Sequence, residues 1–311
     1  MKPFLRKFLQ FGIVVVVLAF LLQTVVTFRT RKLFVTRKGI LESTDGVNAD
    51  LVLLGSSRCF MQLDTQFFDT CFHLRTVNLG VNGHSELSMT VIRLQRYLVC
   101  NAAPRFAILA FDAYTRAGSV THNDHIRLKD QFARYAYFPD KLNRPLLNYF
   151  GFSWKERYIP LYTSFKYNLI DHFFSGTDLT NHQELGSEIY DENWDTVANP
   201  VMFEKPLSSE KDRLEVKEAL KTLEDVCSAH HIRLLCLQTP AFRSFYDPVA
   251  FSAAGRTCRE LQLPFVDTNK DSLIRDVHLF YNALHVNKKG IAMMEDLICR
   301  DTTMRAFFGM K

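Results

Sequence analysis

Two stretches at opposite ends of the chain carry residue types that together can perform nucleophilic acyl chemistry. The first is Gly55-Ser56-Ser57, which follows an apolar run. A serine at a tight strand-to-helix turn presents its hydroxyl to a cleft and leaves its own backbone N–H open to an oxyanion. The same residues suit a helix N-cap, where serine is a preferred residue. The second stretch runs from Tyr281 to Gly290 and contains Asn282, His285 and Asn287. A histidine just before a final helix can reach over a sheet edge to a serine on the first strand. Residue 282 stands one short turn earlier, where its side chain can meet the imidazole Nδ1. Nucleophile, base and orienting group would then be assembled from both ends of the chain. A third stretch, Asn78-Leu79-Gly80-Val81-Asn82-Gly83, has glycines that allow close backbone approach to a bound group, and it would serve equally well as a simple turn.

Such a constellation needs a scaffold that gathers strand ends. Apolar runs at 50–55, 76–80, 105–111, 232–238 and 263–266 predict five buried strands. Helical spacing appears at 85–100, with Ser85 and Ser88 as candidate N-caps, at 207–230, and at 290–300 as a terminal helix. Strands this apolar, alternating with helices, predict an α/β fold in three α/β/α layers around a mostly parallel five-stranded sheet. Ligands of open parallel sheets bind at the C-terminal strand ends, where Gly55-Ser56-Ser57 and Asn78-Leu79-Gly80-Val81-Asn82-Gly83 fall, while the histidine stretch follows the last strand. From about 113 to 206 the alternation breaks down in a Tyr-, Phe-, Asn- and Asp-rich stretch interrupted by Pro145, Pro160 and Pro200. It reads as a helical and irregular insertion above the C-terminal edge of the sheet, either a cap over a site or surface filling.

The segments LLGSSR, NLGVNG and NALHVNKKG resemble the Gly-x-Ser, Gly and Asp-x-x-His-hydrophobic-Asn-x-x-Gly blocks of the SGNH/GDSL hydrolase superfamily. GSS in place of GDS, a leading apolar segment and a large insertion are closest to its envelope branch. That branch includes DltD-like and alginate O-acetylation-like proteins, which work beside polytopic membrane-bound O-acyltransferases. The resemblance implies Ser57 as nucleophile, Ser56 at the usual Asp of GDS, Gly80 as the oxyanion glycine and His285 as general base, with no cofactor and no metal. Two positions depart from the pattern. Asn282 replaces the triad carboxylate, and an amide can accept a hydrogen bond from imidazole but cannot supply charge to imidazolium. Strand three ends Ala110-Phe111-Asp112-Ala113-Tyr114 where the family has Gly-x-Asn-Asp, so Asn82 is the candidate replacement oxyanion donor. Asp276 is a candidate substitute carboxylate, and Arg243, after strand four, a candidate for binding an anionic substrate group.

Residues 8–28 contain no charge, and a helix of that length spans roughly 30 Å, the hydrocarbon thickness of a bilayer. A signal peptide would have a shorter apolar region and a small-x-small cleavage site, which TVVTFRTR lacks. The expected layout is a tail at 1–7, an uncleaved anchor at 8–28, a basic stalk at 29–49 and the α/β domain at 50–311. Lys2, Arg6 and Lys7 precede the span, while Arg29, Arg31, Lys32, Arg37 and Lys38 follow it. That imbalance alone would place the domain in the cytoplasm; the family resemblance places it outside, and the resemblance is given the greater weight. The net charge of +5 comes with no clustered basic face, which argues against nucleic acid as a partner. The seven cysteines are widely spaced and odd in number, so they form neither a fully paired framework nor a zinc pattern. His122 with His125, and His230 with His231, lack a third ligand and read as solvated residues.

These readings lead to a membrane-anchored serine esterase or O-acyltransferase acting on a cell-envelope glycan or polymer. The alternative is a catalytically degenerate domain of the same type that binds a glycan or supports a partner acyltransferase. A third possibility is an unrelated α/β fold in which the serine turn only caps a helix.

Overall fold

A computed structural model describes residues 2–33, 44–118, 129–170, 187, 189–196 and 209–310. His122, His125 and Pro200 lie outside the described residues. The chain begins with α1 (Lys2–Leu33), β1 (Leu51–Leu54), α2 (Ser57–Phe60), α3 (Thr65–Phe72), β2 (Thr76–Asn78), α4 (Leu87–Cys100) and β3 (Phe106–Ala110). Three short helices follow, α5 (Arg144–Tyr149), α6 (Trp154–Tyr158) and α7 (Tyr162–Lys166). Next come α8 (Glu210–Ala229), β4 (Arg233–Gln238), α9 (Pro248–Glu260), β5 (Phe265–Asp267) and α10 (Asp271–Ile274). The hairpin strands β6 (Phe280–Asn282) and β7 (His285–Val286) then lead into α11 (Lys288–Arg300) and α12 (Thr302–Phe308). These elements form two compact units, Met1–Gly39 with Thr121–His182, and Ile40–Val120 with Gln183–Lys311.

The larger unit is built on a five-stranded sheet of order β2-β1-β3-β4-β5, parallel at every pairing. Its central strands are apolar at nearly every position because both faces are covered. Leu51, Leu53, Phe106, Ile108, Leu235 and Leu237 face one core with α3, α11 and α12. Their neighbours Val52, Leu54, Ala107, Leu109, Leu234 and Cys236 face the other with α4, α8 and α9. The expected three-layer α/β/α fold is therefore the fold observed. In α8, Val216, Leu220, Leu223 and Cys227 line the buried stripe, and Ser209 caps the first turn through Asp212 N–H.

Three local expectations are corrected. Helix α4 is capped by neither Ser85 nor Ser88: its N-cap is Glu86 without a side-chain bond. Instead the Leu87 and Ser88 N–H groups donate to the carbonyls of Arg116 and Ala117. The helix at 290–300 is not terminal, since α12 follows under an Asp301 cap. Helix α9, announced by an Asp247 cap and Pro248 in its first turn, was not expected from the sequence.

In the smaller unit, α1 is long and apolar enough to cross a membrane and continues through Leu33. Glu156, 1% exposed, holds the short helices together. It accepts from Lys129 Nζ, Lys166 Nζ, the Tyr167 hydroxyl and the Ser153 N–H that opens α6. Burial pushes its carboxyl pKa up, but these hydrogen bonds outweigh burial and bring it down to about 2.

Cys71 on α3 and Cys299 on α11 form a disulfide across 228 residues of sequence, and Cys59, Cys100, Cys227, Cys236 and Cys258 are in no disulfide bond. A loop this long gives the bond about 5.5 kcal/mol of stabilisation in the chain-entropy account. Alkylation of the denatured, unreduced protein should add five labels by intact mass, and prior reduction should raise this to seven. Seven labels without reductant would show that the bond does not form.

Candidate active site

In a sheet of order 2-1-3-4-5 the chain reverses direction of winding between β1 and β3, and the crevice outside their C-terminal ends is the expected binding position. The serine turn opens there. Ser56 is the N-cap of α2, its hydroxyl accepting from Arg58 N–H at 3.3 Å. Ser57, the first residue of the helix, is not used in the cap, and its side chain turns instead to His285. The two serines thus divide the two roles read from the sequence, one capping and one facing the histidine.

His285 Nε2 lies 2.9 Å from Ser57 Oγ across 228 residues of sequence. Its Nδ1 lies 2.8 Å from Asn282 Oδ1. Asn282 Oδ1 also accepts the backbone N–H groups of Leu284 and His285, at 3.0 and 3.1 Å. Those two donors fix the amide so that oxygen, not nitrogen, faces the imidazole. Nδ1 must then carry the proton, leaving the Nε2 lone pair directed at the Ser57 hydroxyl. Asn282 therefore sets the tautomer a general base needs while contributing no charge.

The rest of the histidine segment positions this pair. Strands β6 and β7 form an antiparallel hairpin that presents Asn282 opposite His285. Val286 is buried in the core, and Asn287 Oδ1 caps α11 by accepting from Lys289 and Gly290 N–H. A Cβ on residue 290 would lie 2.2 Å from the Leu279 carbonyl, so only glycine lets α11 pass so close to the hairpin.

Arg58, 3% exposed, joins the two halves of the site. Its Nε stands 2.5 Å from Asp112 Oδ2 and 3.1 Å from Thr239 Oγ1. Nη2 donates to the carbonyls of Thr239 and Pro240, and Nη1 donates to that of Leu284 at 3.0 Å, beside His285. Gln62 Nε2 donates to the same Leu284 carbonyl at 2.8 Å. The ends of β1, β3 and β4 and the histidine turn thereby meet at one guanidinium. Neither Arg58 nor its partner Asp112 was given a role from the sequence. The available signal was an arginine inside LLGSSR with a carboxylate at the end of the adjacent strand.

The oxyanion candidates are placed less uniformly. Gly80 N–H donates to Asn78 Oδ1 at 2.9 Å, so it is engaged internally. Gly80 is needed for space: a Cβ there would lie 2.8 Å from Phe60 N, on the first turn after the serine. Asn78, buried, also donates to the Cys59 and Leu63 carbonyls and so ties the loop after β2 to α2. Ser57 N–H and the Asn82 side chain make no hydrogen bond among the described residues, and Val81 N–H donates to the Gly55 carbonyl, bringing the Asn82 loop alongside the serine turn.

Arg243 is exposed with no acidic partner among the described residues, one residue beyond Phe242, whose N–H donates to Ala283 O in the histidine turn. Asp276 caps the turn Val277–Leu279 through His278 N–H, and the imidazole Nδ1 is held by Asn282 instead. His230 and His231 are exposed at the end of α8, and no metal-binding cluster of His, Cys, Asp or Glu stands among the described residues.

Burial, and after it the Arg58 charge, bring the His285 pKa down to about 3. The imidazole is therefore neutral and able to accept a proton across the ordinary pH range. Its protonated form has no carboxylate to stabilise it.

No family model matches the sequence, and no curated protein matches it. Among solved structures, the chain is similar to a proposed acylhydrolase from Bacteroides fragilis NCTC 9343, at 12% identity and a TM-score of 0.37, over 83% of this chain and 87% of that one. It is similar to a GDSL-like lipase from Bacteroides thetaiotaomicron VPI-5482, at 12% identity and a TM-score of 0.39, over 82% and 88% of the two chains.

Replacing Arg58 by Met strands Asp112 as a buried, uncompensated charge and should cost about 3–5 kcal/mol in denaturant unfolding. Adding Asp112→Asn to Arg58→Met should recover part of that loss. A double variant as unstable as the sum of the singles would show that the two side chains do not act as a pair.

Proposed function

We propose that the chain is a membrane-anchored SGNH-type serine esterase or O-acyltransferase, acting on acyl esters of a cell-envelope glycan or polymer. The observation that carries this reading is the continuous chain Ser57 Oγ, His285 Nε2, His285 Nδ1, Asn282 Oδ1. Ser57 attacks an acyl carbonyl as His285 takes its proton, and the tetrahedral oxyanion is held by Ser57 N–H and the Asn82 amide. The ester C–O bond breaks, and the leaving alcohol departs with the proton from His285. Water, or a glycan hydroxyl in the transferase, then attacks the acyl-serine by the reverse proton path. The Cys71–Cys299 disulfide supports a domain outside the cytoplasm, against the small Lys/Arg excess after α1. A polytopic membrane-bound O-acyltransferase is the proposed partner, on the resemblance alone.

A fluorophosphonate probe should label the full chain at one serine, and Ser57→Ala should abolish the label. His285→Ala should slow labelling by roughly a thousandfold, since nucleophile and base act as a unit. No label on the intact protein would sink the catalytic reading. It would leave the second reading, a degenerate domain that binds a glycan or supports the acyltransferase, which the uncharged Asn282 favours.

The depressed histidine pKa has a signed consequence. With a base that protonates only near 3, ester hydrolysis should show no acid limb between pH 5 and 8. Asn282→Asp places an anion where two N–H donors already converge, and it should raise the histidine pKa. An acid limb should then enter the measurable range, and turnover at pH 8 should rise by roughly ten- to a hundredfold. An unchanged profile would show that residue 282 does not act on the imidazole. Folding has the matching dependence: the unfolded chain takes up this proton near 6.5 and the folded one only near 3, so this contribution to stability is lost as pH falls through that window.

A further inference from the structure

We propose that the unit formed by α1 and the segment 129–170 sits in the bilayer interface, with Phe138, Trp154, Tyr158, Tyr162 and Phe165 immersed at the boundary between headgroups and acyl chains. The proposal rests on the anchor reading of α1 and extends it from a tether to a seated surface.

The helix itself supplies the argument. From Phe8 to Leu22 its large apolar side chains are exposed all round, as a lipid-facing helix requires. Fifteen residues rise only about 22 Å, short of the roughly 30 Å hydrocarbon core. The basic residues Arg6 and Lys7 oppose extension in the N-terminal direction, so the missing depth must come from residues 23–28. There the helix is no longer free on every side. Gln23 and Val26 are each 2% exposed, whereas Val25 and Phe28 remain open at 52% and 60%. Gln23 Oε1 accepts from Leu161 N–H at 2.7 Å and from the Ser164 hydroxyl at 3.0 Å. Phe20 packs on the rings of Tyr137 and Phe138. The protein that grips this part of the helix must therefore share its depth in the membrane.

Its surface is composed for that position. Phe138, Trp154, Tyr158, Tyr162 and Phe165 are 56%, 63%, 48%, 39% and 65% exposed. Trp and Tyr favour the headgroup level because they join an apolar ring to a polar tip. Phe138 is held out at a positive φ of 43°, a conformation bulky residues rarely adopt, with its ring against Tyr158. The Glu156 cluster and the bonds to Gln23 satisfy these buried polar groups within the protein.

The chain has two tryptophans, Trp154 and Trp194, so Trp194→Phe leaves Trp154 as the sole reporter. The full-length variant is reconstituted in phosphatidylcholine vesicles carrying bromine at shallow or deep acyl positions. Trp154 emission should fall to roughly half with the shallow label, fall less with the deep one, and resist aqueous iodide. The reciprocal Trp154→Phe chain, reporting from Trp194 alone, should lose the bromine effect. Free access of iodide to Trp154 in vesicle-bound protein overturns the proposal and leaves the anchor standing. Protection from both bromine and iodide also overturns it, in favour of a protein occupant. Release of the chain from vesicles by alkaline carbonate defeats the anchor reading itself.

Discussion

A guanidinium excluded from water must find acceptors in fixed directions, and at Arg58, which itself follows β1, those acceptors lie at the ends of two further strands and in one turn. Most are main-chain carbonyls, which cannot rotate away as side chains do. The serine turn is covalently next to Arg58, and the Leu284 carbonyl is covalently next to His285. The Ser57 hydroxyl and the His285 imidazole, 228 residues apart, are thereby held 2.9 Å from each other through a rigid, planar fork. Hydrophobic burial shapes the sheet, but it is non-directional and cannot set that distance alone.

The same strut works against the chemistry it positions. Its positive charge, added to burial, disfavours the imidazolium that the proposed attack by Ser57 requires. A carboxylate at 282 would offset both. Asn282 instead keeps the geometric half of the role, since the backbone N–H groups of Leu284 and His285 hold its oxygen toward the ring.

The serine and histidine segments are readable in the sequence because each is a dense local pattern. In NALHVNKKG the orienting Asn282, the base, the core residue Val286, the cap Asn287 and the close-approach Gly290 all serve one hairpin and one helix start. The five apolar runs are equally plain, because strands buried on both faces have no polar positions to obscure them. What escapes notice depends on distant backbone. Arg58 bonds mainly to carbonyls, and a carbonyl has no residue identity to read. Helix α4 draws its first N–H partners from the backbone of residues 116 and 117, so the nearby serines misdirect the search for a cap. Helix α9 did carry a local signal in Asp247-Pro248, overshadowed by interest in the turn before it.

The Cys71–Cys299 bridge joins the serine half of the fold to the histidine half by a route that bypasses everything between them in sequence. A protease cut anywhere from 129 to 170 would leave two fragments still linked, one holding Ser57 and the other His285, so the two side chains would stay on one covalent object.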